Sequence, residues 1–191
     1  MKTKTRAALA ALLTIVVAAL GAGCGSGSDS KESAGNPTDR AFVSDMVAHH
    51  RSAVEMAAIA KTEATSPFVM TLADDISSTQ KAEIAQMRGA DRKLADAGIK
   101  KGTLGMSQDM AGMHTDAQAL RGAKPFDAKF ISMMVPHHKA AIPMARTELA
   151  KGKNDELKKV ATNIIATQER EIKQMRAHST GTDSPHSSHS G

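Results

Sequence analysis

Residues 42–57 read FVSDMVAHHRSAVEMA, and residues 130–145 read FISMMVPHHKAAIPMA. The two stretches keep one offset: 137 − 49 = 88 for the leading histidines and 144 − 56 = 88 for the later methionines. A second echo has the same offset, since residues 76–88 read ISSTQKAEIAQMR and residues 164–176 read IIATQEREIKQMR. One internal duplication therefore covers most of the chain. Phe42, Val43, Met46, Ala53, Ala57 and Ala60 recur with the period of a helix, not of a strand.

Working outward, every segment of the core reads as helix. Pro37-Thr38-Asp39 opens a first helix, and Ser66-Pro67 supplies an N-cap and a first-turn proline for a second, ending near Ala97 before Gly98. After the break at residues 102–105, Ser107 is placed to cap a short Met-rich helix reaching about Leu120. Pro125-Phe126-Asp127 opens the echo of the first helix, residues 151–154 make a turn, and a last helix ends near Ala177. Two duplicated hairpins of this kind pack most simply as an all-α four-helix bundle, with the Met-rich helix in the connection. Pro136 and Pro143 each remove a backbone donor and are expected to bend the third long helix.

The ends read differently. Lys2, Lys4 and Arg6 precede an apolar run at residues 7–20, too short for a membrane span and suited to a signal peptide over residues 1–23. Cys24, the single cysteine, follows small residues as in a bacterial lipobox, so lipidation there is expected. The alternative is an ordinary secreted chain with a spare thiol. Residues 24–36 are a Gly/Ser-rich tether, residues 37–178 the helical domain, and residues 179–191 a disordered tail; His178, His186 and His189 belong to that soft end. The formal charge is +5, which falls to about +2 once the three leader cations leave (5 − 3 = 2). No basic stripe with interleaved aromatics exists, which disfavours nucleic acid.

The chemistry lies in the repeat. At about 100° per residue, Met46, His49, His50, Ala53 and Met56 share one stripe with Phe42 and Val43. The second copy places Met134, His137, His138, Ala141 and Met144 in the same way. A buried imidazole needs a polar partner or a metal. Met46 and Met134 stand within one helical turn of the paired histidines, close enough to share an ion. Met56 and Met144 lie farther along and read as core or as part of a neighbouring site. Glu83 and Glu171 fall on the apolar faces of the partner helices. They either orient the histidines or reach the edge and pair with Arg88, Arg176 or a lysine. Met106, Met110, Met113 and His114 are either a metal relay or packing. With no cysteine in the helical domain a thiolate site is out, and with no Glu-x-x-His pair a di-iron carboxylate site is not supported, whereas imidazole with thioether suits copper, Cu(I) or Cu(II). Histidines satisfied by neighbouring side chains remain the bland alternative.

These motifs resemble those of domain-of-unknown-function family 305, exported bacterial proteins with ferritin-like bundles. The matching pieces are F-x-x-x-M-x-x-H-H-x-x-A-x-x-M-A in both copies, Q-x-x-E-I-x-x-M in both, and the connector GMSQDMAGM. The resemblance implies the bundle fold and, from copper-binding members, a ligand role for Met46, His49, His50, Met56, Met134, His137, His138 and Met144. Asp45, where the second copy has Met133, makes the two halves non-identical.

The reading that follows is an extracytoplasmic lipoprotein that binds copper and buffers it or hands it to another copper-handling protein, with the membrane reached through the lipid. A homodimer is compatible with it. Two alternatives stand: a copper-dependent oxidase acting on Cu(I) or reactive oxygen, and a structural interaction module without metal.

Overall fold

The computed structural model describes residues 35–107 and 116–182. The leader, Cys24, Met110, Met113, His114, His186 and His189 lie outside the described residues. The described part holds four long helices, α1 (Pro37–Glu63), α2 (Pro67–Asp96), α3 (Phe126–Lys151) and α4 (Asp155–Thr182), and one 3-10 turn at Ala117–Leu120.

The starts are set by local chemistry. The Asn36 side chain accepts from the Thr38 and Asp39 amides, and Asp39 reaches back to the Asn36 amide, so α1 begins with a reciprocal capping box and Pro37 in its first turn. The Ser66 hydroxyl accepts from the Val69 amide at 3.1 Å, capping α2 as its sequence suggests. Asn154 does the same for α4, accepting from the Leu157 amide at 2.9 Å.

Two apolar clusters fix the topology. One joins Ala53–Ala60 positions of α1 with Val69–Ile76 of α2, Phe126–Met134 of α3 and Ile172 and Met175 of α4. The other joins Ala41–Val47 positions of α1 with Met87–Leu94 of α2, Ala141–Ala145 of α3 and Leu157–Ile164 of α4. Neighbouring helices therefore run antiparallel: α1 up, α2 down, α3 down, α4 up. Leu104 sits in one cluster and Leu120 in the other, so the connection between the hairpins crosses from one end of the bundle to the other. A single long crossover of this kind is the ferritin-like arrangement. Methionine and aliphatic side chains fill the interior, as the absence of Trp and Tyr requires. Among the described residues no helix is long and apolar enough to cross a membrane.

Three details bear on the sequence reading. Most of the expected Ser107–Leu120 helix, residues 108–115, lies outside the described residues; its end is the Ala117–Leu120 turn, capped by Asp116. Gly105, at φ +73°, ends any regular structure just upstream. Helix α4 continues past Ala177 to Thr182, and His178 is part of it, stacked on Phe68 with ring centroids 4.2 Å apart. Helix α3 runs unbroken through Pro136 and Pro143.

Candidate metal centre

The two apolar clusters leave a polar layer between them, built by the duplicated motif. His49, His50, His137 and His138 are all buried, at 2% relative exposure or less. They come from α1 and α3, whose antiparallel crossing brings the leading histidine of each copy together: the rings of His49 and His137 lie 3.8 Å apart, centroid to centroid. The second histidine of each pair turns toward its hairpin partner. His50 Nε2 lies 2.8 Å from Glu83 Oε2, and His138 Nε2 lies 2.7 Å from Glu171 Oε2. Both contacts span 33 residues, so the duplication has copied the bond as well as the sequence. Of the two outcomes left open for the glutamates, the contact with the histidines is the one seen.

At the centre the symmetry breaks. His49 Nε2–H donates to the carbonyl oxygen of His137 at 2.9 Å, but Nε2 of His137 has no hydrogen-bond partner. That carbonyl belongs to His137 itself. The carbonyls freed by the two prolines are those of Ser132 and Lys139, four residues before each ring.

Burial sets the protonation. It lowers His49 to about 3, helped by the neighbouring His50, and lowers His50 to about 3, helped by His138. His137 is held well below 6.5 for the same reason, with His49 as the next cause. These three are neutral imidazoles at physiological pH, each with one lone-pair nitrogen. With Glu83 ionised, His50 gives its Nε2 proton to that carboxylate and keeps the lone pair on Nδ1, the tautomer inferred from the acceptor. Burial, then repulsion from Glu171, raises Glu83 to about 7, which places the two carboxylates within electrostatic reach of each other.

The donor census is unusual for a dry bundle interior. The Nδ1 atoms of all four histidines are buried without a hydrogen-bond partner. Leaving a buried polar atom unpartnered costs roughly 1–3 kcal/mol. Imidazoles held by carboxylates with the opposite nitrogen free are what a metal-binding histidine looks like from its outer side. Among the described residues, however, no three His, Cys, Asp or Glu side chains are already gathered as a metal cage. The donor chemistry fits a soft or borderline cation; closing on one requires ring rotation.

The methionines are sorted differently from their sequence neighbours. Met46, Met56, Met134 and Met144 are all fully buried. Met46 shares a cluster with Met144, and Met56 shares the other with Met134. Each cluster thus takes one methionine from before a histidine pair and one from after the other, and the partner helices add Met87 to one and Met175 to the other. Met56 and Met144 are placed no worse than Met46 and Met134. Met106 packs at the margin of the Met46–Met144 cluster.

Further polar groups are buried in the bundle. Gln80 and Gln168 are buried, and both polar atoms of Gln80 and the oxygen of Gln168 lack partners. They sit one turn before the two glutamates, and a polar residue on an apolar face was the available signal. Glu148 is fully buried beside Asp39 at one end of the bundle, with neither oxygen in a well-aligned hydrogen bond. Its counterpart in the first copy is Ala60, so the repeat gave no hint of it.

Comparison with known proteins agrees with this architecture. Solved structures of CopM align along nearly their whole length. The Cu(I)-bound form is 30% identical with a TM-score of 0.63, covering 76% of this chain and 98% of that one. The Cu(II)-bound form is 31% identical with a TM-score of 0.65, covering 75% and 96%. A putative secreted protein from Streptomyces coelicolor is 29% identical with a TM-score of 0.63, covering 72% and 89%. No curated protein matches the chain. The family described as Domain of unknown function (DUF305) matches residues 39–179. With the repeat, the bundle and that match in agreement, the chain belongs to the DUF305 family.

Proposed function

We propose that this protein binds copper outside the cytoplasm and buffers it or passes it on, using the buried histidines and methionines. The observation that carries the reading is the set of four buried imidazoles whose Nδ1 atoms have no hydrogen-bond partner. Imidazole and thioether are donors suited to Cu(I), and imidazole-rich sets to Cu(II). The likeness to CopM in Cu(I)-, Cu(II)- and silver-bound forms supports the same choice of cargo.

In this reading His49, His50, His137 and His138 are the principal ligands. Met46, Met134, Met56 and Met144 supply sulfur from the two flanking clusters. Glu83 and Glu171 hold His50 and His138 by Nε2 and keep Nδ1 basic. Met106, Met110, Met113 and His114 would form a relay toward the site. Copper is cargo here, so no covalent chemistry is assigned and no catalytic residue is named. Export through the leader, anchoring through Cys24 and transfer to a copper-handling partner complete the proposal. A metal-free structural role draws on the missing preformed cage; ring rotation on binding is the competing account.

Titration decides between them. Replacing His49, His50, His137 and His138 together with Ala is expected to abolish stoichiometric Cu(I) binding in a competition assay with a chromogenic chelator. Wild-type stoichiometry in that variant, with the helical spectrum intact, would defeat the assignment.

A further inference from the structure

We propose that the groove on the outer face of the first hairpin, between α1 and α2, binds a phosphate group. The site is independent of the histidine layer and does not rest on the copper reading.

The groove is a cavity of about 340 Å³. One wall is α1, where Arg40, Val43, Val47 and Arg51 fall on a single helical face. The other wall is α2, with Arg88 and Asp91 one turn apart, and Lys101 closes the end. Four cations therefore surround a floor of two valines. The acids within reach are Asp91, which lines the groove, and Asp45, which feels the charge of Lys101.

The cations are not equally engaged. Arg40 donates from Nε to Asp91 at 2.8 Å and from a terminal nitrogen to the Ile99 carbonyl at 2.7 Å. Lys101 donates to the Ser44 hydroxyl. Among the described residues, Arg51 and Arg88 have neither a hydrogen bond nor an ion pair. The acid one turn beyond Arg51, Glu55, instead accepts from the Gln118 amide. Arg40 is thus braced in place while two guanidinium groups stay available on opposite walls. A guanidinium presents paired N–H donors that match two oxygens of a phosphate.

Solvated arginines are common on a helix surface, but the duplication supplies an internal control. The same fold position in the second hairpin is a cavity of similar size, about 360 Å³. There Ala128 stands for Arg40 and Ser179 for Asp91, and a carboxylate, Asp127, lines the wall. The second copy also carries cations at the positions of Arg51 and Arg88, namely Lys139 and Arg176, but neither lines its hollow, and Arg40, the braced member of the first groove, is replaced there by Ala128.

The ligand chemistry is a phosphate monoester or diester, which a free anion or an anionic lipid headgroup can supply. The test uses the full chain with Cys24→Ser, so that no acyl group contributes to membrane binding. Isothermal titration with pyrophosphate is one arm. Co-sedimentation with vesicles of phosphatidylglycerol in phosphatidylcholine, against phosphatidylcholine alone, is the other. Binding in either arm is expected to fall at least tenfold in an Arg51→Ala, Arg88→Ala double variant and to be unchanged by Lys139→Ala in the second copy. Both arginines are exposed, so the fold should persist, as circular dichroism will check. The arm that responds identifies the source. Wild-type protein silent in both arms, or a double variant that binds as wild type does, would overturn the proposal.

Discussion

At the scale of the residue, the interior is decided by what each imidazole nitrogen touches. A carboxylate on Nε2 orients the His50 and His138 rings and leaves Nδ1 facing the layer. Replacing Glu83 and Glu171 with Gln keeps the size and a hydrogen bond but removes the charge. Under the proposed function, copper affinity is expected to fall by roughly 10- to 100-fold, with stoichiometry retained. A competition titration checks this, and unchanged affinity would reduce the two carboxylates to packing. Inward-facing histidines were legible from helical spacing alone, because a period of 3.6 residues fixes the face. Which nitrogen stays free was not legible, since that depends on a glutamate from another helix and on the carbonyl of His137.

At the scale of the element, starts and stops were well written in the chain. Asn36 with Asp39, Ser66 with Pro67, and Asn154 all cap as their chemistry dictates. Of the connection, whose residues 108–115 lie outside the described ones, the Ala117–Leu120 turn and its Asp116 cap are what can be set beside the sequence. The α3–α4 turn holds a different constraint. A Cβ on Gly152 would lie 2.2 Å from Glu148 Oε1 and 2.7 Å from the Glu148 backbone oxygen. The carboxyl is buried and the backbone oxygen is fixed by the Gly152 amide at 2.8 Å, so neither can withdraw freely. Gly152→Ala is therefore expected to destabilise the bundle by about 1–3 kcal/mol, read from a shift in the urea midpoint. A midpoint within error of wild type would show that the turn relaxes at no cost.

At the scale of the whole molecule, the bundle followed from the repeat, because two copies of an amphipathic hairpin can bury their faces only against each other. The buried acid pair at its end did not, since Asp39 and Glu148 lie far apart in sequence and Glu148 has no acidic twin. Asp39 receives the amides of Lys153 and Asn154, both at 2.9 Å, and so ties the start of α1 to the second hairpin. Burial, then the Asp39 carboxylate, pushes Glu148 up from 4.5 to about 9. A raised carboxyl contributes stability that is complete below 4.5 and lost as pH rises through about 9. His49 and His50, lowered from 6.5 to about 3, act in the opposite sense: their contribution is present above 6.5 and lost as pH falls through about 3. Thermal unfolding temperature is thus expected to drop on both sides of neutrality. Glu148→Gln, which cannot ionise, should flatten the decline between about pH 7 and 9, which Glu83, raised only to about 7, does not supply, and leave the limb below 4.5 unchanged. An alkaline decline of wild-type size in that variant would rule the pair out as its cause.

The head-to-tail crossing of α1 and α3 also bears on traffic through the molecule. Seen from either tip of the long axis, the interior repeats: three buried methionines, a belt of imidazoles, three more methionines. Such a vessel has almost no upstream or downstream of its own. Departures from the repeat, such as Asp45 where the other half has Met133, are all that tell one mouth from the other. If the proposed cargo moves one way, the direction must be imposed by whatever protein meets a given tip.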